Sequence, residues 1–136
     1  MKQVSFHILR LGLSATFLWV GFSILRQPEV WSGYLQPWAL QLLPIPITQA
    51  MMGTAVLDIT VGVLLLAGIF TYIAALVGAL HIAVVLLVSG ITDIIVRDLG
   101  LFAGMLALTL DSLPASIEGK MKKIFLFYKI KKKHYE

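Results

Sequence analysis

Along this chain, long apolar runs alternate with short polar or proline-rich breaks. Four runs stand out, at residues 4–25, 49–70, 72–89 and 97–113. At ~1.5 Å per residue, about 20 apolar residues cross the hydrocarbon core of a bilayer. The first run stops at Arg26-Gln27-Pro28-Glu29, because proline cannot continue the helix and the charges belong in water. The join Phe70-Thr71-Tyr72 is so short that the second and third runs must form a tight antiparallel hairpin. Between the first two runs lie Pro28, Pro37, Pro44 and Pro46, with almost no charge. Trp31, Tyr34 and Trp38 are spaced three and four apart there, and such aromatics favour the membrane–water boundary. A short interfacial helix is expected near residues 38–43. The pattern predicts an all-α integral membrane four-helix bundle with an in-plane outer segment between spans 1 and 2. Residues 1–114 form the four-span domain and residues 115–136 a basic amphipathic cytoplasmic tail.

Composition sharpens this picture. The chain is 59% hydrophobic and 13% charged, against roughly 25% charged in soluble domains. It has no cysteine, which excludes disulfides, thiol chemistry and Cys-ligated metal or iron–sulfur sites. Of eleven Lys and Arg residues, seven fall between Lys120 and Lys133, so the net charge of +4 describes a tail and not a nucleic-acid-binding surface. The tail's Ile124-Phe125-Leu126-Phe127-Tyr128 is too short to span. It is expected on the membrane surface, with its lysines on anionic lipids at ~1 kcal/mol per charge. Four spans bring both termini to one side, and the tail lysines with Lys2 assign that side to the cytoplasm. The expected location is the cell (inner or plasma) membrane. Residues 4–25 are too long for a signal-peptide core, and Phe22-Ser23-Ile24 offers no small-x-small cleavage site, so the first run reads as a retained helix.

Polar residues inside the runs are the candidate chemistry. Asp58 lies near the middle of the second run, sharing a face with Thr54 and Gly62. An acid at that depth costs at least ~2.5 kcal/mol on insertion scales and so needs a partner, a proton or a function. His7, Arg10, Ser14 and Gly21 share a face of the first run, with Arg10 ~9 Å inside it. By snorkelling, Arg10 can reach towards Asp58 or fold back towards Asp111. His81 lies at Asp58's depth on the adjacent helix, where an Asp–His contact could relay protons. Arg10, Asp58 and His81 thus form the expected buried polar centre. It is either an ion pair that fixes helix register or a pocket that holds a ligand head group or relays protons. A metal site is not expected, since His7 sits at a different depth from His81 and Asp58. Met51, Met52 and Met105 read as core.

Arg97-Asp98 at the outer mouth of span 4 reads as an interfacial anchor, with Asp98 favoured at a helix N-terminus and Asp93 or Glu29 as partner. With Trp31, Tyr34 and Trp38 it also forms a potential head-group-binding rim. Gly62, Gly68 and the Gly100–Gly104 pair suit close helix approach. No phosphate-binding loop, Ser/His/Asp arrangement or HExxH motif occurs, so the residues alone name no reaction.

Taken together, Arg10-Leu-Gly12 with Trp19-Val-Gly21-Phe22, Leu57-Asp58-Ile-Thr-Val-Gly62-Val-Leu-Leu-Leu-Ala-Gly68 running on to Ala74-Ala75, and Arg97-Asp98-Leu-Gly100-Leu101 resemble the DoxX-like family of small four-helix membrane proteins over residues 9–110. The family usually has Glu at Asp58, and often basic residues where this chain reads Phe22-Ser23-Ile24-Leu25 and Phe70-Thr71-Tyr72. Relatives include a membrane subunit of thiosulfate:quinone oxidoreductase. The resemblance therefore implies an accessory or quinone- or lipid-interacting component of a membrane redox assembly, alongside other membrane subunits. It implies no catalysis by this chain alone. Two other readings stay open: a small proton-coupled transporter or lipid-handling protein, and a purely structural accessory subunit.

Overall fold

The structure is a computed structural model that describes residues 1–90, 92–115, 117 and 119. The basic surface tail expected at 115–136, including Lys120 to Lys133, lies almost wholly outside the described residues. Six helices follow in order: α1 (Gln3–Arg26), α2 (Pro28–Ser32), α3 (Pro37–Leu42), α4 (Ile47–Ala67), α5 (Thr71–Val88) and α6 (Asp93–Asp111).

The boundaries follow local chemistry. Pro28 and Pro37 occupy the first helical positions of α2 and α3, where the missing N–H costs nothing. The expected interfacial helix at 38–43 is α3, and α2 precedes it as a second short turn. Gly68 ends α4 in the left-handed conformation at φ 71°, with the Ile69 amide donating to Leu64 O at 3.1 Å. Gly68 therefore stops the helix, and it also makes room for α1, since a Cβ there would lie 3.1 Å from Arg10 Nη1. Helix α6 begins at Asp93, four residues before the expected start at Arg97: Thr92 is extended, and its carbonyl oxygen accepts from the Ile95 and Val96 amides at 3.0 and 3.3 Å. Asp93 takes the first-turn acidic position, and Asp98 lies in the second turn, buried.

The four long helices close into a ring. The most extensive packing joins α1 to α4 and α5 to α6, while α4–α5 and α1–α6 complete the circuit. The α4–α5 turn is as tight as expected, yet α4 packs mainly on α1. The core contains Leu13 and Phe17 from α1, Val61 and Leu65 from α4, Ala79 and Ile82 from α5, and Met105 and Leu108 from α6. A second cluster of Ile24, Met51 and Ala55 lies towards α2, beneath Trp31 and Leu35. Small residues let the helices approach: a Cβ at Gly62 would lie 2.7 Å from Leu18 Cγ, and one at Gly78 would collide with Met105. Of the Gly100–Gly104 pair, only Gly104 meets α1, through Leu9 and Leu13; Gly100 faces open space.

The outer faces are apolar: Trp19, Phe22, Leu80, Leu87 and Leu99 are all exposed. Helices α1, α4 and α5 are long and apolar enough to cross a membrane, and only 28%, 33% and 28% of their apolar windows are buried inside the bundle. That much bare hydrocarbon is compatible with lipid and not with water. The chain is an all-helical integral membrane protein. At one end of the bundle the Met1 amino group meets the Asp111 carboxylate, so α6 runs back to where α1 starts. At the other end the α2–α3 segment is tied to α5 by the Gln36 amide, which donates to Val88 O at 2.9 Å, and by a bridge between Leu35 and Ser89.

Candidate functional site: an apolar cavity with Asp58 and His81 in its wall

Consecutive helices α4 and α5 join at the Gly68–Phe70 turn, and a cavity of about 300 Å³ lies towards the opposite end of the bundle. Helix periodicity sets its wall. On α4, Met51, Thr54 and Asp58 lie at i, i+3 and i+7; on α5, His81, Val85 and Val88 lie at i, i+4 and i+7. Phe17, Val20 and Ile24 supply the α1 side, Leu101 the α6 side, and Ala39 and Leu43 the α3 side. Most of the lining is hydrocarbon. The polar exceptions fall into two groups: Asp58 and His81 from the middle of the helices, with Thr54 and Thr16, and a rim of Trp31, Tyr34, Ser89, Thr92, Arg97 and Asp98.

Asp58 is 3% exposed. His81 Nε2 lies 3.2 Å from Asp58 Oδ1. The approach is close, but the ring N–H is not directed along it, and buried Oδ1 has no hydrogen-bond donor among the described residues. The pair is therefore a contact of two polar groups with hydrogen-bonding capacity left over, in a wall that is otherwise apolar. A buried acceptor in this state costs about 1–3 kcal/mol relative to a satisfied one.

The third expected member of the polar centre is elsewhere. Arg10 pairs with neither Asp58 nor Asp111. Its Nη1 donates to the carbonyl oxygens of Leu65 and Leu66, the latter at 3.0 Å, at the C-terminal end of α4. There a cation meets unpaired carbonyls and the negative end of the helix dipole. Ser14, one turn along α1, donates to Gly62 O at 2.8 Å in a fully buried contact. Gly21, further along the same stripe, packs on Ala55 and Ile59. The polar stripe of α1 is thus a seam against α4 and not the far side of a pocket. Asp111, the other expected partner of Arg10, instead takes the Met1 amino group. His7 stands apart from the seam, exposed, with its ring edge-on to Phe6.

The rim assembles in part. Trp31 and Tyr34 meet edge-on with ring centroids 5.9 Å apart, and Trp31 Nε1 donates to Ser23 Oγ at 3.1 Å. Arg97 pairs with its neighbour Asp98, Nη2 to Oδ1 at 3.0 Å, and not with Asp93 or Glu29. Trp38 does not line the cavity: α2 ends at Ser32, the chain is extended at Gln36, and Trp38 sits exposed on α3. The wall residues that sequence reasoning passed over, Met51, Val85 and Val88, carried a signal, since each shares a helix face with Asp58 or His81. The contribution of α3 carried none.

The arrangement can hold a compact molecule that is mostly hydrocarbon and presents one hydrogen-bonding group to Asp58 and His81; its volume is at the lower end of the range for small-ligand pockets. Among the described residues no group of three or more His, Asp or Glu side chains gathers as a metal site.

Comparison with known proteins adds one finding. The DoxX family model matches residues 5–92, which takes in α1 to α5 and ends at the N-cap of α6. Arg97-Asp98 and the rest of α6 lie beyond the matched range. Nothing among curated proteins or solved structures matches the chain. The matched range is well over half of the chain, and this membrane protein belongs to the DoxX family.

Proposed function

We propose that this chain is a membrane subunit of a redox assembly, holding the head group of a quinone or a similarly shaped lipid in the cavity beside Asp58 and His81. The observation that carries the reading is the cavity itself: hydrocarbon walls, with a buried Asp–His contact as the polar feature at bundle depth. A quinone bound there would supply two-electron redox chemistry to the assembly. The chain's own residues would do the positioning. Met51, Val85 and Val88 exclude water and hold the ring, His81 donates to its oxygen, Asp58 accepts from the O–H of its reduced form, and the Trp31–Tyr34 pair flanks the rim. In this reading α6 is the fourth span, and the termini share the cytoplasmic side, in accord with the meeting of Met1 and Asp111 and with the tail lysines. The redox partners would be other membrane subunits.

The test is direct titration of the purified full chain in lipid nanodiscs with decyl-benzoquinone, following tryptophan fluorescence. Trp31 lines the cavity, so saturable quenching is expected, and Val85→Phe, which fills the cavity, should abolish the saturable part. Linear quenching of equal slope in both proteins would remove the reading.

A further inference from the structure

Resting on that cavity reading, we infer that the site selects a head group that donates a hydrogen bond, such as a phenol or the reduced quinol, over one that only accepts. Three observations converge. Asp58 is 3% exposed and forms part of the cavity wall. Its Oδ1 lies 3.2 Å from His81 Nε2 yet receives no directed donor among the described residues. Phe17, Met51, Ile82 and Val85 in the surrounding wall carry no donor, and neither Thr16 nor Thr54, which also line it, donates to Asp58 Oδ1.

A carboxylate is an acceptor only, whereas an imidazole offers a donor at one ring nitrogen and an acceptor at the other. The pair therefore presents an unfilled acceptor beside an imidazole. A hydroxyl brings what is missing, because its O–H donates to Asp58 while its oxygen can still accept from His81. A quinone carbonyl or an ether oxygen can only accept. It leaves Asp58 unmet and brings a second acceptor close to it. Sites built around an unpaired polar group reject the analogue that lacks its partner, and that asymmetry is larger than the one produced by an added or missing methylene.

The experiment uses a redox-inert pair of nearly equal shape, 4-decylphenol and 4-decylanisole, which differ in the O–H. Each is titrated into the full chain in nanodiscs of a single phosphatidylcholine, with partition into protein-free nanodiscs subtracted. The phenol is expected to bind about tenfold tighter than the ether. In Asp58→Asn, whose amide both donates and accepts, the ratio is expected to fall towards one. Equal affinity of phenol and ether for the unmodified protein would overturn the inference while leaving the cavity reading standing. A tenfold preference that persists in Asp58→Asn would also overturn it, by placing the selecting group elsewhere. If neither compound nor decyl-benzoquinone binds the unmodified protein, the cavity reading falls and the inference with it. The comparison within the unmodified protein needs no variant to fold.

Discussion

Two polar regions lie in the same apolar bundle, and they have opposite fates. At the α1–α4 seam, Arg10 Nη1 and the Ser14 hydroxyl donate to backbone carbonyls of α4. At the cavity, Asp58 and His81 touch without an aligned hydrogen bond and face an open volume. A polar group in hydrocarbon must be satisfied from within the protein. A donor has an easy route, because helix ends carry unpaired carbonyls. A carboxylate in mid-helix does not, because the N–H groups around it are committed to the helix. The difference teaches that depth and polarity alone do not mark a functional residue. What separates the lock from the site is whether the group's capacity has been consumed.

The contrast can be broken at several points, and the largest effect falls at the seam. Gly62→Leu would drive a side chain into Leu18 and part α1 from α4. A loss of ~3 kcal/mol is expected in detergent unfolding, at the upper end for overpacking. Unchanged stability would mean the seam is loose. Arg10→Ala removes charge-assisted bonds to the end of α4 and should cost ~2 kcal/mol in the same measurement. Combined with Asp58→Asn, its effect should add to within ~0.5 kcal/mol, since the two residues share no partner. A coupling well beyond that would restore the Arg10–Asp58 pair as the organising contact. Ser14→Ala should cost ~1 kcal/mol, the scale of one interhelical hydrogen bond in a membrane protein. Asp58→Asn sits at the small end: it is nearly isosteric and removes an expensive buried carboxylate, so stability should change by under ~1 kcal/mol, with neutral or positive sign.

Much of the fold was legible because a bilayer leaves few options. Runs at 4–25 and 72–89 matched α1 and α5 to within a residue at each end. The fourth helix was misplaced at its start because Asp93 looked like loop chemistry. Thr92 ahead of an acid is equally a helix-start signal, and Thr92 holds the N-cap position of α6, although its side chain makes no capping bond. The site was legible only as a set of residue types. Asp58 and His81 share a depth in the sequence pattern, and the structure places His81 Nε2 3.2 Å from Asp58 Oδ1. Arg10 was assigned by charge complementarity, and charge misled, because a sequence does not display the free carbonyls at the end of α4 that compete for a guanidinium. Trp38 was grouped with Trp31 and Tyr34 by spacing, which holds only if one helix carries all three; the break after Ser32 separates them.

The unfolding midpoint of the full chain, with and without saturating 4-decylphenol, separates lock from site when measured for the unmodified protein, Arg10→Ala and Asp58→Asn. A ligand at about 100 times its Kd stabilises the state that binds it by ~2.7 kcal/mol. The account predicts that Asp58→Asn matches the unmodified protein without ligand and gains much less with it, while Arg10→Ala starts lower and gains the full increment. Loss of stability in unliganded Asp58→Asn as great as in Arg10→Ala, with equal ligand gains in all three proteins, would make Asp58 a structural lock like the seam and contradict the account.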